Sequence, residues 1–441
     1  MVKKIILFYL RVLAKIQIRK INPVIIGVAG SSGKSSTSYL INLILETKFK
    51  VKQSGGKNSE TGIPLSVLSI SPKNYSFIDW IRIIILALLK VIFDWKKYDF
   101  YIAEMGIDGP KEPKNMSYLL KIIKPKIGVL TNISLEHSQY FDYLVKENGL
   151  EEREQKILLL TAEQESMLLT SLPKEGTAVV NNDDPQTLNY LEKLKAKIVS
   201  VSLKNKNADF LVKDTEVDVN SFRLSFSHKS REYNLKIGQP LPEHYVYSII
   251  FAIAVSLECG LSIEDSIKAL EEKFALPPGR LSVFEGIKGS LIIDSSYNNA
   301  TLIPLLDILE MVKKIGKNRK KIAVLGDMRE LGVVSGAQHE IVAKKIIETC
   351  DFAILIGPLM KKYVSPILIE HKFGFYEFQN FTEGKDKIRE LIKPEDLILV
   401  KSSQNTLFLE RVVEMLLKNP NDKEKLCRRG EFWDKRRENT L

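Results

Sequence analysis

Hydrophobic and polar positions along this chain follow two alternating rhythms. Short apolar runs close on small or polar residues: VIIGVA (Val24–Ala29), YDFYIAEMG (Tyr98–Gly106), KIGVLTNIS (Lys126–Ser134) and GTAVVNND (Gly176–Asp183). Longer stretches of helical spacing separate them. Apolar runs of this length read as strands buried on both faces, and strands alternating with helices form a parallel sheet with crossovers. Between residues 208 and 236 the rhythm changes to period two, which predicts a small antiparallel insert. HYVYSIIFAIAVSLECG (His244–Gly260) predicts a helix closed by Gly260, and LPPGR (Leu276–Arg280) has the composition of a linker. Strand and helix alternation then restarts in SLIIDSSYNN (Ser290–Asn299), KIAVLGDMRELG (Lys321–Gly332), DFAILIGP (Asp351–Pro358) and DLILVKSSQN (Asp396–Asn405). The predicted fold class is α/β. Residues 1–22 form a basic amphipathic helix. Residues 23–277 form a central domain with a mostly parallel sheet plus the antiparallel insert, and residues 278–441 a C-terminal Rossmann-like α/β domain.

Two apolar stretches stand outside this alternation. In MVKKIILFYLRVLAKIQIRKINP, Ile5, Ile6, Tyr9, Leu10, Leu13 and Ile16 fall near helical spacing among Lys3, Lys4, Arg11, Lys15, Arg19 and Lys20. Charges break the apolar core and no small-residue cleavage site follows, which argues against a signal peptide. A basic amphipathic helix packs on the protein's own body, lies on a membrane surface, or meets a partner. The second stretch, FIDWIRIIILALLKVIFDW (Phe77–Trp95), is broken by Asp79, Arg82, Lys90 and Asp94. Its uninterrupted core falls well short of the roughly 20 residues that span a bilayer, so it predicts a buried or interfacial helix.

A chain of 441 residues exceeds a single core and implies two or three domains. Its 44% apolar and 27% charged content is that of a soluble globular protein. The net charge of +11 fits a lysine-rich surface, an acidic substrate or an anionic membrane face. No RNP-type motif or zinc-finger spacing supports nucleic acid as a partner. Cys259, Cys350 and Cys427 are odd in number and far apart, which suits a reducing cytoplasm better than a disulfide framework or a zinc site.

Candidate chemistry begins at VIIGVAGSSGKSST (Val24–Thr37). From Gly27 to Ser35 the spacing is G-x-x-G-x-x-G-K-S; the usual phosphate loop would have glycine where Val28 stands. Gly30 and Gly33 permit positive φ and close backbone approach. The amides of Gly30, Ser31, Ser32, Gly33, Lys34, Ser35 and Ser36 can then surround a phosphate at the helix N-terminus. Lys34 is expected on the β/γ-phosphates and Ser35 on Mg²⁺.

This variant spacing resembles that of the Mur ligase superfamily, which includes folylpolyglutamate synthase. Further motifs follow in the family's order: KNSETGIPLSVL (Lys57–Leu68), AEMG (Ala103–Gly106), TNISLEHSQYF (Thr131–Phe141), NNDDP (Asn181–Pro185), PGRLSVFEG (Pro278–Gly286) and DSSYNN (Asp294–Asn299). VLGDMRELG (Val324–Gly332) and LVKSSQNTLFLE (Leu399–Glu410) are most similar to the MurF branch, which adds D-alanyl-D-alanine. The resemblance implies an ATP- and Mg²⁺-dependent amide ligase of cell-wall (peptidoglycan) precursor synthesis. Such an enzyme activates a substrate carboxylate as an acyl phosphate and joins it to an amino-acid or dipeptide amine. The resemblance implies Glu104 and His137 as metal ligands beside Ser35. It implies Lys156 as a carbamate that helps hold a second Mg²⁺, against the plainer reading of a solvent-facing helical lysine. Arg280, Asp294 and Tyr297 are implied as ATP contacts from the linker and C-terminal domain, with ATP between two domains. The expected partners are an anionic nucleotide-sugar peptide or related carboxylate and an amine acceptor. The expected place is the cytoplasm, peripheral to the inner membrane face if residues 1–22 contact it.

Departures from the family pattern mark what the resemblance leaves open. MurF enzymes usually carry a UDP-sugar-gripping domain before the phosphate loop, and here the loop begins at Gly27. Tyr245 and Ser248 replace two asparagines, Ser295 replaces an aspartate, and Ser402 and Gln404 replace a glycine and an arginine near the acceptor side. Another Mur-fold ligase, such as a polyglutamate or poly-amino-acid synthetase, and a nucleotide-binding partner subunit remain the alternatives.

Overall fold

Val24–Ala29 forms strand β1, buried in all but its first residue. A strand with no polar face needs neighbours on both edges and helices on both sides. Strands β2 (Val51–Gln53), β3 (Phe100–Glu104), β4 (Ile127–Leu130), β5 (Thr177–Asn181) and β6 (Lys197–Ser202) provide the edges, in the parallel order β2-β3-β1-β4-β5-β6. The computed structural model describes residues 2–135, 141–146, 149–297, 301–403 and 407–438. Strands β7 (Phe210–Asp218), β8 (Ser221–His228) and β9 (Arg231–Ile237) complete a nine-stranded sheet. Their two-residue connections make them hairpins, the antiparallel insert predicted from period two.

Around this sheet lie α1 (Val2–Ile21), α2 (Lys34–Leu45), α3 (Gly62–Val67), α4 (Phe77–Phe93), α5 (Met116–Leu120), α6 (Leu150–Thr170), α7 (Pro185–Leu188), α8 (His244–Glu258) and α9 (Ile263–Lys273). Helix α1 packs on α3 and α4, burying Leu7, Leu10, Leu13, Ala14 and Ile21. Helix α8 buries an unbroken run from Ser248 to Ser256, as its all-round apolar sequence requires. The register pairs Val28 with Glu104 and Ala29 with Leu130, so β1, β3 and β4 end level. Ligand sites in parallel sheets form at such carboxyl ends.

A second sheet holds β10 (Ser282–Glu285), β11 (Leu291–Ser295), β12 (Lys321–Gly326), β13 (Phe352–Ile356), β14 (Phe375–Phe378) and β15 (Leu397–Lys401). Its order is β10-β11-β15-β12-β13-β14, with only β10 antiparallel among the pairs. Helices α10 (Leu302–Ile315), α11 (Ser335–Thr349), α12 (Ser365–Glu370), α13 (Phe381–Leu391), α14 (Glu410–Leu416) and α15 (Glu431–Glu438) accompany it. The chain divides into two compact units. One comprises Met1–Asp214, Leu224–Leu235 and Tyr245–Phe274; the other comprises Thr215–Arg223, Lys236–His244 and Ala275–Leu441.

Candidate active site

β1 delivers the chain into Gly30 at φ 123°, where a Cβ would sit 2.2 Å from Thr131 Oγ1. No other residue fits that turn. Gly33, at φ 79°, begins α2 without a side chain bonding the helix's first amides. Those amides and the helix dipole therefore face outward as an anion site.

The end of β4 braces the loop. Ser31 N–H donates to Asn132 O (2.8 Å), and Ser32 N–H donates to Asn132 Oδ1 (2.9 Å). Ser31 Oγ donates to Ser134 O (3.1 Å) and accepts from Ser134 N–H (2.8 Å). Asn181 Nδ2 at the end of β5 donates to Thr131 O (3.1 Å), so the next strand supports the brace. Asp183 accepts from Ser202 Oγ, Leu203 N–H and Tyr247 OH at 2.5–2.7 Å, while Asp184 accepts from Ile133 N–H (3.2 Å). The acids of NNDDP thus hold strand ends and α8 in place. Ser248 is also buried near the loop, since a Cβ on Gly33 would lie 3.5 Å from its Oγ.

Lys34 curls back over the loop, its ammonium donating to Gly30 O and to Ser31 O (2.8 Å). Ser35 Oγ donates to Glu104 Oε2 across 2.8 Å. Glu104 ends β3 almost fully buried, and its N–H donates to Ser54 Oγ (3.1 Å). Ser36, the next residue of α2, is half-buried. Two hard oxygen donors side by side at a phosphate loop fit Mg²⁺, which takes one or two protein oxygens and leaves the rest to phosphate and water. The expected ligand His137 lies outside the described residues, and among the described residues no cluster of three or more His, Cys, Asp and Glu is suited to a metal.

Lys156 is exposed on α6. The residue that this helix sends to the loop is Glu165, 3% exposed, whose Oε2 accepts from Gly30 N–H at 2.9 Å. Burial pushes the Glu165 carboxyl up to about 7, against the pull of Lys34 and the Gly30 N–H. Sequence reasoning passed over Glu165, although its signal was present. Ile157, Thr161, Glu165 and Leu168 recur at helical spacing on the buried face of α6. An acid inside such a stripe requires a partner.

In the second unit, Asp294 is fully buried at the end of β11, and its Oδ1 accepts from Ser296 N–H (3.0 Å) and Oγ (2.6 Å). Tyr297 N–H donates to Gly279 O (3.0 Å), and the Arg280 guanidinium lies 5.5 Å from the Tyr297 ring centroid. All three C-terminal candidates therefore belong to one neighbourhood, joined by two residues the sequence did not single out. Arg428 pairs with buried Glu410 (3.0 Å) and donates to Tyr297 O (2.7 Å). Lys401, on the strand beside β11, is buried; burial first, then Arg280 and Arg428, push its ammonium down to about 7, with Asp294 opposing.

Residues 28–256 match the Mur ligase middle domain family, and residues 279–404 match the family described as Mur ligase, glutamate ligase domain. The chain is 25% identical over 416 residues to the UDP-N-acetylmuramoyl-tripeptide–D-alanyl-D-alanine ligase of Bacillus subtilis, covering 93% of this chain and 79% of that protein. It is 26% identical over 412 residues to the ligase of the same name from Borreliella burgdorferi, covering 92% and 77%. Among solved structures, MurF of Thermotoga maritima in complex with ADP superposes with a TM-score of 0.73 at 22% identity, over 93% of this chain and 83% of that one. MurF of Acinetobacter baumannii gives a TM-score of 0.73 at 20% identity, over 92% and 79%. These two structures share the fold.

Proposed function

The chain belongs to the Mur ligase family, and on that premise we propose that it is an ATP- and Mg²⁺-dependent amide ligase of MurF type, joining a UDP-N-acetylmuramoyl-tripeptide carboxylate to D-alanyl-D-alanine. The observation that carries this reading is the glycine-shaped loop with Ser35 Oγ set on Glu104 Oε2 at 2.8 Å. Bound ATP supplies the phosphoryl group that makes the donor carboxylate an acyl phosphate; the amine displaces that phosphate, so an amide, ADP and phosphate result. Phosphoryl transfer asks the protein for positioning and charge neutralisation. The first amides of α2 bind phosphate oxygens, and Lys34 leaves Gly30 O and Ser31 O to neutralise them. Ser35 and Glu104 would hold Mg²⁺, whose charge assists the same oxygens. Asn132 and Glu165 fix the loop from outside: Asn132 through the Ser31 and Ser32 amides, Glu165 through the Gly30 amide. We assign Arg280, Asp294 and Tyr297 to the nucleotide by family resemblance, and His137 to a metal on the same ground. On the same ground we assign Lys156 to a second Mg²⁺ as a carbamate, with an ordinary exposed helical lysine as the alternative. We place the enzyme in the cytoplasm, with the basic residues of α1 directed to an anionic inner membrane face.

Phosphate release measured with both substrates, each alone and neither tests the reading. The expected result is one phosphate per amide, identified by product mass, only when donor and dipeptide are both present. Turnover with glutamate and not the dipeptide would move the chain to the polyglutamate type. ADP binding without substrate-dependent release would make it a binding subunit.

A further inference from the structure

Helix α4 is built inside out. Its buried positions are Asp79, Ile83 and Ala87, one stripe at helical spacing. Its outward face carries Phe77 (81% exposed), Ile78 (78%), Ile85 (56%) and Phe93 (73%), with Ile81, Leu88, Leu89 and Ile92 exposed among them. Trp95 and Tyr75 extend the same surface just beyond the helix ends. The one acid within the helix is sequestered: Asp79 accepts from the amides of Lys73, Asn74 and Tyr75 and pairs with Arg82 at 2.7 Å. A contiguous exposed apolar face of this size marks an interaction surface.

Helix α1 supplies a basic border. Tyr9 OH donates to Ile84 O (2.9 Å), and Lys20 Nζ donates to Val91 O (2.7 Å) while lying 4.1 Å from the Trp95 ring centroid. Exposed Ile5 and Ile16 lie within about 40° of Tyr9 around the helix, at 3.6 residues per turn. Lys4, Lys15 and Arg19 follow on the side away from α4. Residues 1–23 and 71–99 together hold eleven basic residues and three acids. Of those acids, Asp79 is paired as above and Asp94 faces Lys90 at 3.6 Å.

We propose that the outward face of α4, bordered by the basic edge of α1, docks the enzyme on an anionic phospholipid surface, with α4 lying in the plane of the interface. Charge and chemistry select this occupant. A second copy would bring one basic face against another. A protein partner is oriented by directional polar contacts, whereas the α4 face offers almost none: the Trp95 indole N–H is already given to Ile92 O (3.1 Å). A bilayer interface asks for an apolar face, aromatic ends and basic flanks. No described helix is long and apolar enough to cross a membrane, so α4 lies on the surface. The proposal extends the peripheral placement above and does not depend on which amide bond is formed.

The full chain is to be co-sedimented with vesicles of phosphatidylglycerol and phosphatidylcholine, and with phosphatidylcholine alone, at low and high salt. Three proteins are compared: wild type, Ile78→Glu/Ile85→Glu, and Lys4→Gln/Lys15→Gln/Arg19→Gln. Circular dichroism and ADP affinity serve as controls of fold and site. The expected result is wild-type binding to anionic vesicles at least tenfold above neutral ones, with a portion persisting at high salt. The α4 variant should lose that binding at least tenfold with ADP affinity unchanged, and the α1 variant should lose its salt-sensitive portion. Wild-type binding retained in the α4 variant and lost in the α1 variant would overturn the α4 assignment and leave attachment to α1. Wild-type binding to neither vesicle overturns both. A dimer seen by light scattering and broken by Ile78→Glu/Ile85→Glu would assign the face to a second copy and overturn the proposal.

Discussion

Glu165 shows how much a single side chain can carry. Its carboxyl, buried against the Gly30 amide, has its pKa raised by burial from 4.5 to about 7. The folded state therefore holds this proton more tightly than the unfolded chain does. Stability conferred by the protonated form is complete below about 4.5 and declines as pH rises to about 7, then levels, at a limiting slope of roughly 1.4 kcal/mol per pH unit. Glu165→Gln should remove that decline while keeping an acceptor for the Gly30 N–H. Melting temperatures of both proteins between pH 4.5 and pH 8 check this. The wild type should lose stability relative to the variant as pH rises, and parallel curves would refute the assignment. Lys156, on the same helix, is exposed, and its assignment as a carbamate rests on family order alone.

At the scale of elements, the second unit depends on an ion pair with no solvent to relieve it. Arg428 and Glu410 are 1% and 0% exposed in their side chains, 3.0 Å apart. Arg428 also donates to Ser296 O and Tyr297 O, so it ties α14 to the end of β11. Arg428→Met would leave the Glu410 carboxylate buried and unpaired, at a cost of about 3–5 kcal/mol. Glu410→Gln combined with Arg428→Met should recover most of that loss, because the Glu410 charge is removed together with its partner. Denaturant unfolding followed at Trp433, whose ring centroid lies 5.9 Å from the Arg428 guanidinium, measures both variants. Equal losses in the single and double variants would show that packing, and not charge, is what Arg428 provides.

For the whole molecule, ligand binding should appear as stability. A nucleotide bound only by the folded chain adds about 2.7 kcal/mol at a hundred times its Kd. Mg²⁺-ADP is expected to raise the melting transition of the wild type and not that of Lys34→Ala. The variant should still fold, because the hydrogen bonds that Lys34 makes go to the loop carbonyls of Gly30 and Ser31. Its ligase turnover should fall on the order of 100-fold or more. Two compact units need not melt together, so calorimetry is the suitable measurement. An equal nucleotide shift in both proteins would remove Lys34 from the site.

Much of this architecture was written in local pattern. The apolar runs at 24–29, 321–326 and 352–356 became strands because a segment without a polar face can only be interior. Gly30 fixed the loop because a Cβ has no room there, and Gly33 because its φ of 79° favours glycine. The order of short motifs was enough to indicate the family. Edge strands β2, β10 and β14 were less legible, since short, half-exposed segments become strands only when a neighbour offers hydrogen bonds. Tertiary structure alone brought Glu165 to Gly30, Ser35 to Glu104, and Arg428 to Tyr297, contacts between residues far apart in sequence. It alone decided which side of α4 faces inward. Apolar residues almost encircle that helix, so its sequence left the orientation open. The three loop amides bonded to Asp79 fixed it, because a carboxylate that satisfies backbone donors and Arg82 can be buried, and its burial turns the isoleucines and phenylalanines outward.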